Sequence, residues 1–231
     1  MRADPDAGQT SEIFRRLYDS TNYDRSLAAV FMRRCHEILE RAFPKSAHFS
    51  RVIEVGAGTC QHIQHVRHGF DQYLMTDLDE AMLRQGRARL PEHLRATVEL
   101  SVQDARALHY ADASFDRLIA THVLEHLREP AEVLREWHRV VRPGGILSIV
   151  LPCDPGMLWR FGRHLGPRRT ARRAGLEYDY FMAREHINSV FNLVTLIRYY
   201  FESVDERWYP FMIPSADANL FYLCNIRRLE R

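Results

Sequence analysis

Two glycines follow a short apolar segment near residue 55 in a pattern that suits ligand binding. Val52, Ile53 and Val55 predict a buried strand. Gly56 and Gly58 then predict a sharp turn into a helix, because glycine adopts positive φ at little steric cost. Such a turn leaves backbone N–H groups exposed at a helix N-terminus, where open parallel sheets bind nucleotide-like ligands. We therefore expect a ligand site at this turn.

The residue three positions after Gly58 argues against a dinucleotide site. A G-x-G-x-x-G fingerprint requires glycine at position 61, and this chain has Gln61 there. We therefore expect the turn to bind a nucleoside that carries no pyrophosphate, which disfavours a nicotinamide-dependent dehydrogenase.

Two carboxylates follow the next two predicted strands. Asp77 ends a strand that contains the apolar segment 73–75, and it lies 21 residues after Gly56. Asp104 ends a further alternating strand. Because an ionised carboxylate accepts hydrogen bonds through two oxygens, Asp77 can hold both hydroxyls of a ribose, and Asp104 can hold an exocyclic amine such as that of adenine. Asp79 is the competing ribose ligand, but we expect it at a helix N-terminus, where the helix dipole favours a carboxylate.

The segments after these motifs predict an alternation of strands and helices. We expect strands over 114–123 and 146–151, helices over 131–140 and 188–201, and a closing antiparallel hairpin of strands 204–209 and 219–227. Strands that alternate with helices indicate an α/β fold built on a mostly parallel sheet.

Two further regions accompany the predicted core. Residues 1–47 are expected to form an N-terminal helical cap with a loosely held tail over 1–10, and residues 48–231 to form the main domain. Within the main domain, residues 153–187 are an insertion after the fifth strand, and we expect them to form a mobile lid. The arginine-rich segment 160–173 of this lid is either a solvated face or a site for phosphate or carboxylate groups.

The order and spacing of these motifs resemble those of class I S-adenosylmethionine-dependent methyltransferases. The motifs that carry the resemblance are Glu54-Val-Gly-Ala-Gly58, Asp77, Gln103-Asp104-Ala105, Ser114-Phe-Asp116, Val123-Leu-Glu-His126 and Arg139-Val-Val-Arg-Pro-Gly-Gly145. Within that superfamily the chain is most similar to the methyltransferase type 11 group, over residues 48–152. One departure is Cys60, where many relatives carry a third glycine.

The resemblance implies the fold, the cofactor and a set of cofactor contacts. It implies a Rossmann-like, doubly wound, seven-stranded sheet with an antiparallel last strand, and S-adenosylmethionine as the cofactor. In this role Glu54 would organise the glycine turn. The implied cofactor contacts are Glu54, Gly56, Ala57, Gly58, Asp77, Leu78, Asp104, Ala105 and Thr121.

Two histidines are candidates for contact with the methyl acceptor. His122 is expected at the tip of the fourth strand, towards which the reactive methyl must point, and His186 where the chain returns from the lid. Either residue could act as a base or orient the acceptor, since imidazole titrates near physiological pH. For His186, the alternative is that it only anchors the lid.

The segment from His122 to His126 also resembles a metal-ligand set, H-x-x-E-H. We nevertheless expect no metal site. His122 is expected at a strand tip and only Glu125 and His126 in the following helix, so the three side chains would not share one helix face.

Composition restricts the cellular setting and the partners. The 231 residues are 46% hydrophobic with a formal net charge of +2, which permits one substantial core and does not imply a nucleic-acid partner. The four cysteines are far apart in the sequence and indicate reduced thiols. No apolar segment approaches the ~20 residues of a membrane span, and none resembles a signal peptide. We therefore expect a cytoplasmic protein without a membrane span.

The leading interpretation is methyl transfer from S-adenosylmethionine to a small-molecule acceptor, with an oxygen nucleophile favoured. Aromatic residues of the insertion, among them Trp159 and Tyr178, could enclose a modest organic molecule. Two alternatives stay open: a methyltransferase that acts on RNA or protein, and a catalytically inactive cofactor-binding or scaffold protein.

Overall fold

Seven strands form one mixed sheet in the computed structural model, which describes residues 12–13 and 27–229. The strands are β1 His48–Val55, β2 Gly69–Asp77, β3 Val98–Val102, β4 Phe115–Thr121, β5 Val141–Pro152, β6 Val204–Tyr209 and β7 Phe221–Arg227. Their order is β3-β2-β1-β4-β5-β7-β6. Strands β1 to β5 pair in parallel, and β7 is antiparallel to β5 and β6. The predicted Rossmann-like sheet with an antiparallel last strand is confirmed.

Seven helices accompany the sheet in the described part of the chain. They are α1 Leu27–Glu40, α2 Glu80–Arg89, α3 Pro130–Val140, α4 Met157–Leu165, α5 Pro167–Arg173, α6 Tyr178–Glu185 and α7 Val190–Tyr200. Short 3₁₀ turns occur at His62–His65, Glu92–Leu94 and Leu124–His126. The predicted tail over 1–10 lies outside the described residues.

Apolar residues cover both faces of the sheet. In β5 every residue from Ile146 to Pro152 is buried, as expected for a strand that is covered on both sides. Adjacent residues of a strand point to opposite faces of the sheet. Within β5, Ile149 belongs to a first core cluster and Val150 to a second, so the two clusters lie on opposite faces. Helices α3 and α7 pack in the first cluster, and α1 and α2 pack in the second. The result is a sheet between two helical layers.

The insertion 153–187, for which we keep the name lid, contains three short helices, α4 to α6, whose boundaries the sequence does not predict. Gly166 separates α4 from α5, which has proline at its first turn, and Gly175 separates α5 from α6. Glycine and proline interrupt a helix readily because one costs backbone entropy and the other removes an N–H donor. In the described part of the chain, no helix is both long and apolar enough to cross a membrane.

A buried ion pair fastens α1 to the sheet. Arg117 of β4 and Glu40 of α1 are fully buried, with Arg117 Nη2 at 2.7 Å from Glu40 Oε1. Arg117 also donates to Ser148 Oγ at 3.0 Å and lies 2.7 Å from His68 Nε2. His62 Nε2 lies 2.9 Å from the same oxygen of Glu40. Because buried charges require such partners, this cluster determines how the helix sits on the sheet.

Replacing Arg117 by methionine should leave the Glu40 carboxylate buried without its cation. Breaking a buried pair in this way costs about 3–5 kcal/mol, so we expect Arg117→Met to lower the free energy of unfolding by that order in urea denaturation. Arg135→Met is the matched control, because Arg135 pairs with Glu132 at the surface and exposed pairs contribute little. An equal loss in both variants would contradict the role of the buried pair.

The same ion pair predicts how stability depends on pH. Burial raises the pKa of Glu40, but the Arg117 guanidinium and the His62 hydrogen bond outweigh it and hold the pKa well below its usual range. Such a carboxyl group stabilises the fold above its unfolded pKa of about 4.3, and the contribution is lost as the pH falls. Glu40→Gln should therefore flatten the decline of unfolding free energy between about pH 5 and pH 2, measured by urea titration at each pH. An unchanged slope would mean that other carboxylates control acid unfolding.

Candidate active site

The turn after β1 has the backbone conformation that its glycines predict. Gly56 and Gly58 have φ values of +66° and +51°. The N–H of Ala57 donates to the carbonyl of Thr76 at 2.9 Å, which holds the turn against β2. A Cβ atom on Gly56 would lie 2.4 Å from Cγ2 of Val123. No side chain can therefore be accommodated at position 56, and the turn presents bare backbone beside the residues that follow β4.

Asp77 at the end of β2 is oriented by two backbone N–H groups. Its Oδ2 accepts from the N–H of Gly58 at 2.8 Å, and its Oδ1 accepts from the N–H of Asp79 at 2.8 Å. Each oxygen keeps a second lone pair, so Asp77 can still accept hydrogen bonds from hydroxyl groups. Burial raises the pKa of Asp77, and these two hydrogen bonds oppose the rise.

Asp79 has a structural role that accounts for its position. Its side chain caps α2 by accepting from the N–H groups of Ala81 and Met82. This is the preferred arrangement for a carboxylate at a helix N-terminus, and the predicted placement of Asp79 is confirmed. Of the two carboxylates, Asp77 is therefore the one left for a ligand.

A cavity of about 370 Å³ opens beside the glycine turn. Five of the nine implied cofactor residues line this cavity and four do not. One of the four is Glu54. Its carboxyl group is buried, accepts a hydrogen bond from Tyr73 Oη at 2.7 Å, and has its pKa raised by burial. Five implied cofactor residues line the cavity, namely Gly56, Asp77, Leu78, Asp104 and Ala105. Glu54, Ala57, Gly58 and Thr121 are not among the lining residues.

Asp104 has a partner that its motif does not predict. The Arg106 guanidinium donates to both carboxylate oxygens, with Nη2 at 2.6 Å from Oδ2, and this pairing lowers the pKa of Asp104. Arg106 also lines the cavity. The carbonyl of Ala105 accepts from the indole N–H of Trp137 at 2.9 Å, which fixes this segment on α3. Any amine that binds Asp104 must therefore share a carboxylate that is already paired.

His122 follows β4 directly and lines the same cavity, so its predicted position at the strand tip is confirmed. It has φ of +59°, and its N–H donates to the carbonyl of Val150 at 3.0 Å. Its ring packs against Phe221 with 5.3 Å between centroids. Burial lowers the pKa of His122 to about 3, with help from the His126 and His186 imidazoles. The ring is neutral near pH 7 and offers one acceptor nitrogen.

Glu125 and His126 lie in the 3₁₀ turn Leu124–His126. The prediction that these two residues enter the following helix is wrong, because α3 begins only at Pro130, whose ring suits a first helical turn. Burial raises the pKa of the Glu125 carboxyl group to about 8. Its Oε1 lies 3.8 Å from His122 Nδ1 and 3.8 Å from His126 Nε2.

His186 lies at the base of the lid and is not among the residues that line the cavity. Its Nδ1 is 2.9 Å from Asp154 Oδ2, and its ring packs edge-on against His126 with 4.9 Å between centroids. Asp154 begins the insertion and His186 ends it, so their contact joins the two ends of the lid. This geometry gives His186 an anchoring role, while its contact with an acceptor stays a prediction.

The arginines of segment 160–173 fall into two groups. Arg163 pairs with Asp154 at 3.4 Å and lies over the Tyr178 ring, and Arg168 pairs with Asp179 of α6. These contacts join the helices of the lid. The described residues provide no ion-pair partner for the second, exposed group, which consists of Arg160, Arg169, Arg172 and Arg173.

Residues 53–149 match a family model described as a methyltransferase domain. This match covers the strands that carry the glycine turn, Asp77, Asp104 and His122. Over residues 53–149 the chain is therefore a methyltransferase domain of this family. S-adenosylmethionine is the cofactor that this similarity indicates.

Individual relatives of this methyltransferase domain act on different atoms. Phosphatidylethanolamine N-methyltransferase of Cereibacter sphaeroides is 32% identical over 137 residues, which are 58% of this chain and 62% of that protein. The ubiquinone/menaquinone biosynthesis C-methyltransferase UbiE of Acidiphilium cryptum is 42% identical over 73 residues, 31% of this chain and 29% of the relative. The chain thus spans less than two thirds of either relative.

A solved structure supports the fold over most of the chain. The N-methyltransferase NodS of Bradyrhizobium japonicum, solved with S-adenosyl-L-homocysteine, superposes with a TM-score of 0.67 at 18% identity. The match covers 96% of this chain and 98% of that chain. At this identity the similarity establishes the shared fold alone.

The cavity residues of the methyltransferase domain fit S-adenosylmethionine. The bare backbone at Gly56 allows a close approach, and Asp77 would accept the ribose hydroxyls through its remaining lone pairs. Leu78 is 69% exposed, so an apolar surface is available for the adenine next to Asp104. The quoted motifs leave out three further lining residues, although these adjoin the Asp104 and Leu-Glu-His motifs. They are Arg106, Leu127 and Arg128.

Removing the Asp77 carboxylate should weaken cofactor binding. Charge-assisted hydrogen bonds contribute about 1.5–3 kcal/mol, so we expect Asp77→Ala to raise the dissociation constant for S-adenosylmethionine roughly 10- to 100-fold in calorimetric titration. Gly56→Val should abolish binding, because its side chain would collide with Val123. Asp71→Ala is the control, since Asp71 is exposed near the opposite end of β2. Near-normal affinity in both site variants would contradict the placement of the cofactor.

Proposed function

We propose that this protein transfers a methyl group from S-adenosylmethionine to a hydroxyl oxygen of a small organic acceptor. The observation that carries the proposal is that the residues proposed to hold the nucleoside and the two histidines His122 and His126 line one cavity. A cavity of about 370 Å³ also lies within the range typical of small-molecule sites.

The residues of the glycine turn and of the strand ends would bind and orient the cofactor. Bound S-adenosylmethionine supplies an electrophilic methyl group on a sulfonium. Gly56 offers backbone without a side chain, Asp77 would fix the ribose, and Asp104 with Ala105 would border the adenine. Methyl transfer depends mainly on such positioning, which can contribute ~7–11 kcal/mol.

His122 would orient the acceptor. The neutral imidazole provides one acceptor nitrogen in a largely buried position, and an acceptor hydroxyl can donate to it. That hydrogen bond would hold the hydroxyl so that an oxygen lone pair faces the methyl group. Where the hydroxyl proton must leave, a base contributes ~10²–10⁴-fold to the rate. The relatives named as N- and C-methyltransferases show that this fold does not dictate the methylated atom, so the choice of oxygen rests on the histidines.

A methyltransferase that acts on RNA or protein is the second candidate, and the exposed arginines of the lid favour it. Arg160, Arg169, Arg172 and Arg173 have no ion-pair partner among the described residues. Binding of RNA or of an acidic peptide that weakens steeply with salt, and that is lost in Arg169→Ser/Arg172→Ser/Arg173→Ser, would support it.

Replacing His122 by alanine should lower turnover while leaving cofactor affinity intact. The acceptor is first identified by mass spectrometry, with isotopically labelled S-adenosylmethionine and a pool of metabolites. With that acceptor we expect kcat to fall by ~10²-fold or more in His122→Ala, because an orienting group is lost only from the acceptor side. The dissociation constant for S-adenosylmethionine should stay near that of the parent protein.

The matched control is His93→Ala, which removes an exposed histidine that does not line the cavity. Full turnover in His122→Ala would refute the orienting role of His122. Failure to label any hydroxyl-bearing metabolite, together with labelling of RNA or protein, would instead favour the second candidate.

A further inference from the structure

Three side chains from two distant segments converge at the base of the lid. Glu125 and His126 belong to the 3₁₀ turn after β4, and His186 follows α6. One ligand atom from each residue lies within 4.8 Å of the other two. We propose that Glu125, His126 and His186 bind one divalent transition-metal ion, which fastens the lid to the sheet.

Both imidazoles have the additional partner that a metal-binding histidine requires. His126 Nδ1 lies 2.9 Å from the carbonyl oxygen of Glu185, and His186 Nδ1 lies 2.9 Å from Asp154 Oδ2. Metal-binding histidines usually donate their second ring N–H to a carbonyl or a carboxylate, which fixes the tautomer and the ring orientation. With the proton held on Nδ1, the Nε2 lone pair of each ring is available to an ion.

Glu125 contributes an independent observation. Its side chain is 2% exposed, and its Oε2 has no hydrogen-bond partner among the described residues. Imidazole nitrogens of His122 and His126 lie 3.8 Å from its Oε1. A buried carboxylate without a partner is costly, and a bound cation would offset that cost.

The ligand set selects the class of metal. Two imidazoles and one carboxylate suit zinc and other first-row transition-metal ions, and leave further positions for water or another oxygen. Ligands about 2.0–2.1 Å from a metal lie ~3–4 Å apart, so the Glu125–His126 pair already fits, and the cluster must contract by about 1 Å at its widest. The site differs from the set His122, Glu125 and His126 that the sequence argues against, because His186, 60 residues after His126, replaces His122.

Metal titration tests the site without reference to methyl transfer. Untagged, chelator-treated protein is titrated with Zn²⁺, Co²⁺ and Mg²⁺ by calorimetry, and bound Co²⁺ is followed by its visible spectrum. We expect one Zn²⁺ or Co²⁺ per chain and far weaker binding of Mg²⁺, because imidazole nitrogen suits the first two. Glu125→Gln, His126→Ala and His186→Gln should each weaken Zn²⁺ binding at least about tenfold. His164→Ala, which removes an exposed histidine of the same lid, should not.

The fastening role has its own measurement. Saturating Zn²⁺ should slow amide hydrogen exchange in segments 153–157 and 183–189 of the parent protein, and should have no such effect in His186→Gln. Melting curves recorded without metal verify that the variants fold, and Glu125→Gln and His186→Gln keep nearly the original side-chain volume. The proposal is overturned if no ion binds stoichiometrically, if folded Glu125→Gln and His186→Gln bind it as tightly as the parent, or if exchange at the lid ends is unchanged.

Discussion

The absence of a side chain at position 56 is the constraint on which the site depends. Strands β1 and β4 pair in parallel, so the residues that follow them emerge at the same edge of the sheet. Val123 occupies the space that a Cβ atom on Gly56 would need. This close approach places the proposed nucleoside site directly beside His122, and a larger residue at position 56 would separate the two parts of the cavity.

The buried carboxyl groups of Glu40 and Glu125 have opposite environments. Glu40 has the Arg117 guanidinium at 2.7 Å, which holds its pKa low and secures α1 on the sheet. Among the described residues, Glu125 has no guanidinium beside it but two imidazole nitrogens at 3.8 Å, and burial raises its pKa. A well-paired charge is what stability favours, whereas an underpaired one persists mainly where a ligand or a reaction requires it. Glu40 therefore stabilises the fold, whereas the proposed role of Glu125 is to bind a ligand.

Much of the fold follows from the sequence because its signals are local. Apolar segments and glycine spacing locate β1 and its turn, and the position of Asp77 follows from one strand–helix–strand unit. The partners of the site residues are different. Arg106 on Asp104, and His186 against Asp154, are side-chain pairings whose geometry depends on packing, and for His186 the partner is 32 residues away. Cys60 adopts a φ of +59° although it is not a glycine. The Cys60 thiol occupies the space that a side chain at Gly86 would need, and this contact is also a result of packing.

The two ends of the insertion 153–187 are held by close contacts. Asp154 contacts His186 and accepts from the N–H of Val190 at 2.8 Å, and Gly156 is packed so closely that a Cβ atom would lie 2.3 Å from the Ala216 carbonyl. Gly166 and Gly175, between the lid helices, have open space where a Cβ would lie. The packing is therefore tighter at the ends of the insertion than at the glycines between α4, α5 and α6. No described residue of the insertion lines the cavity, so the insertion borders it through the contact of the His186 ring with His126.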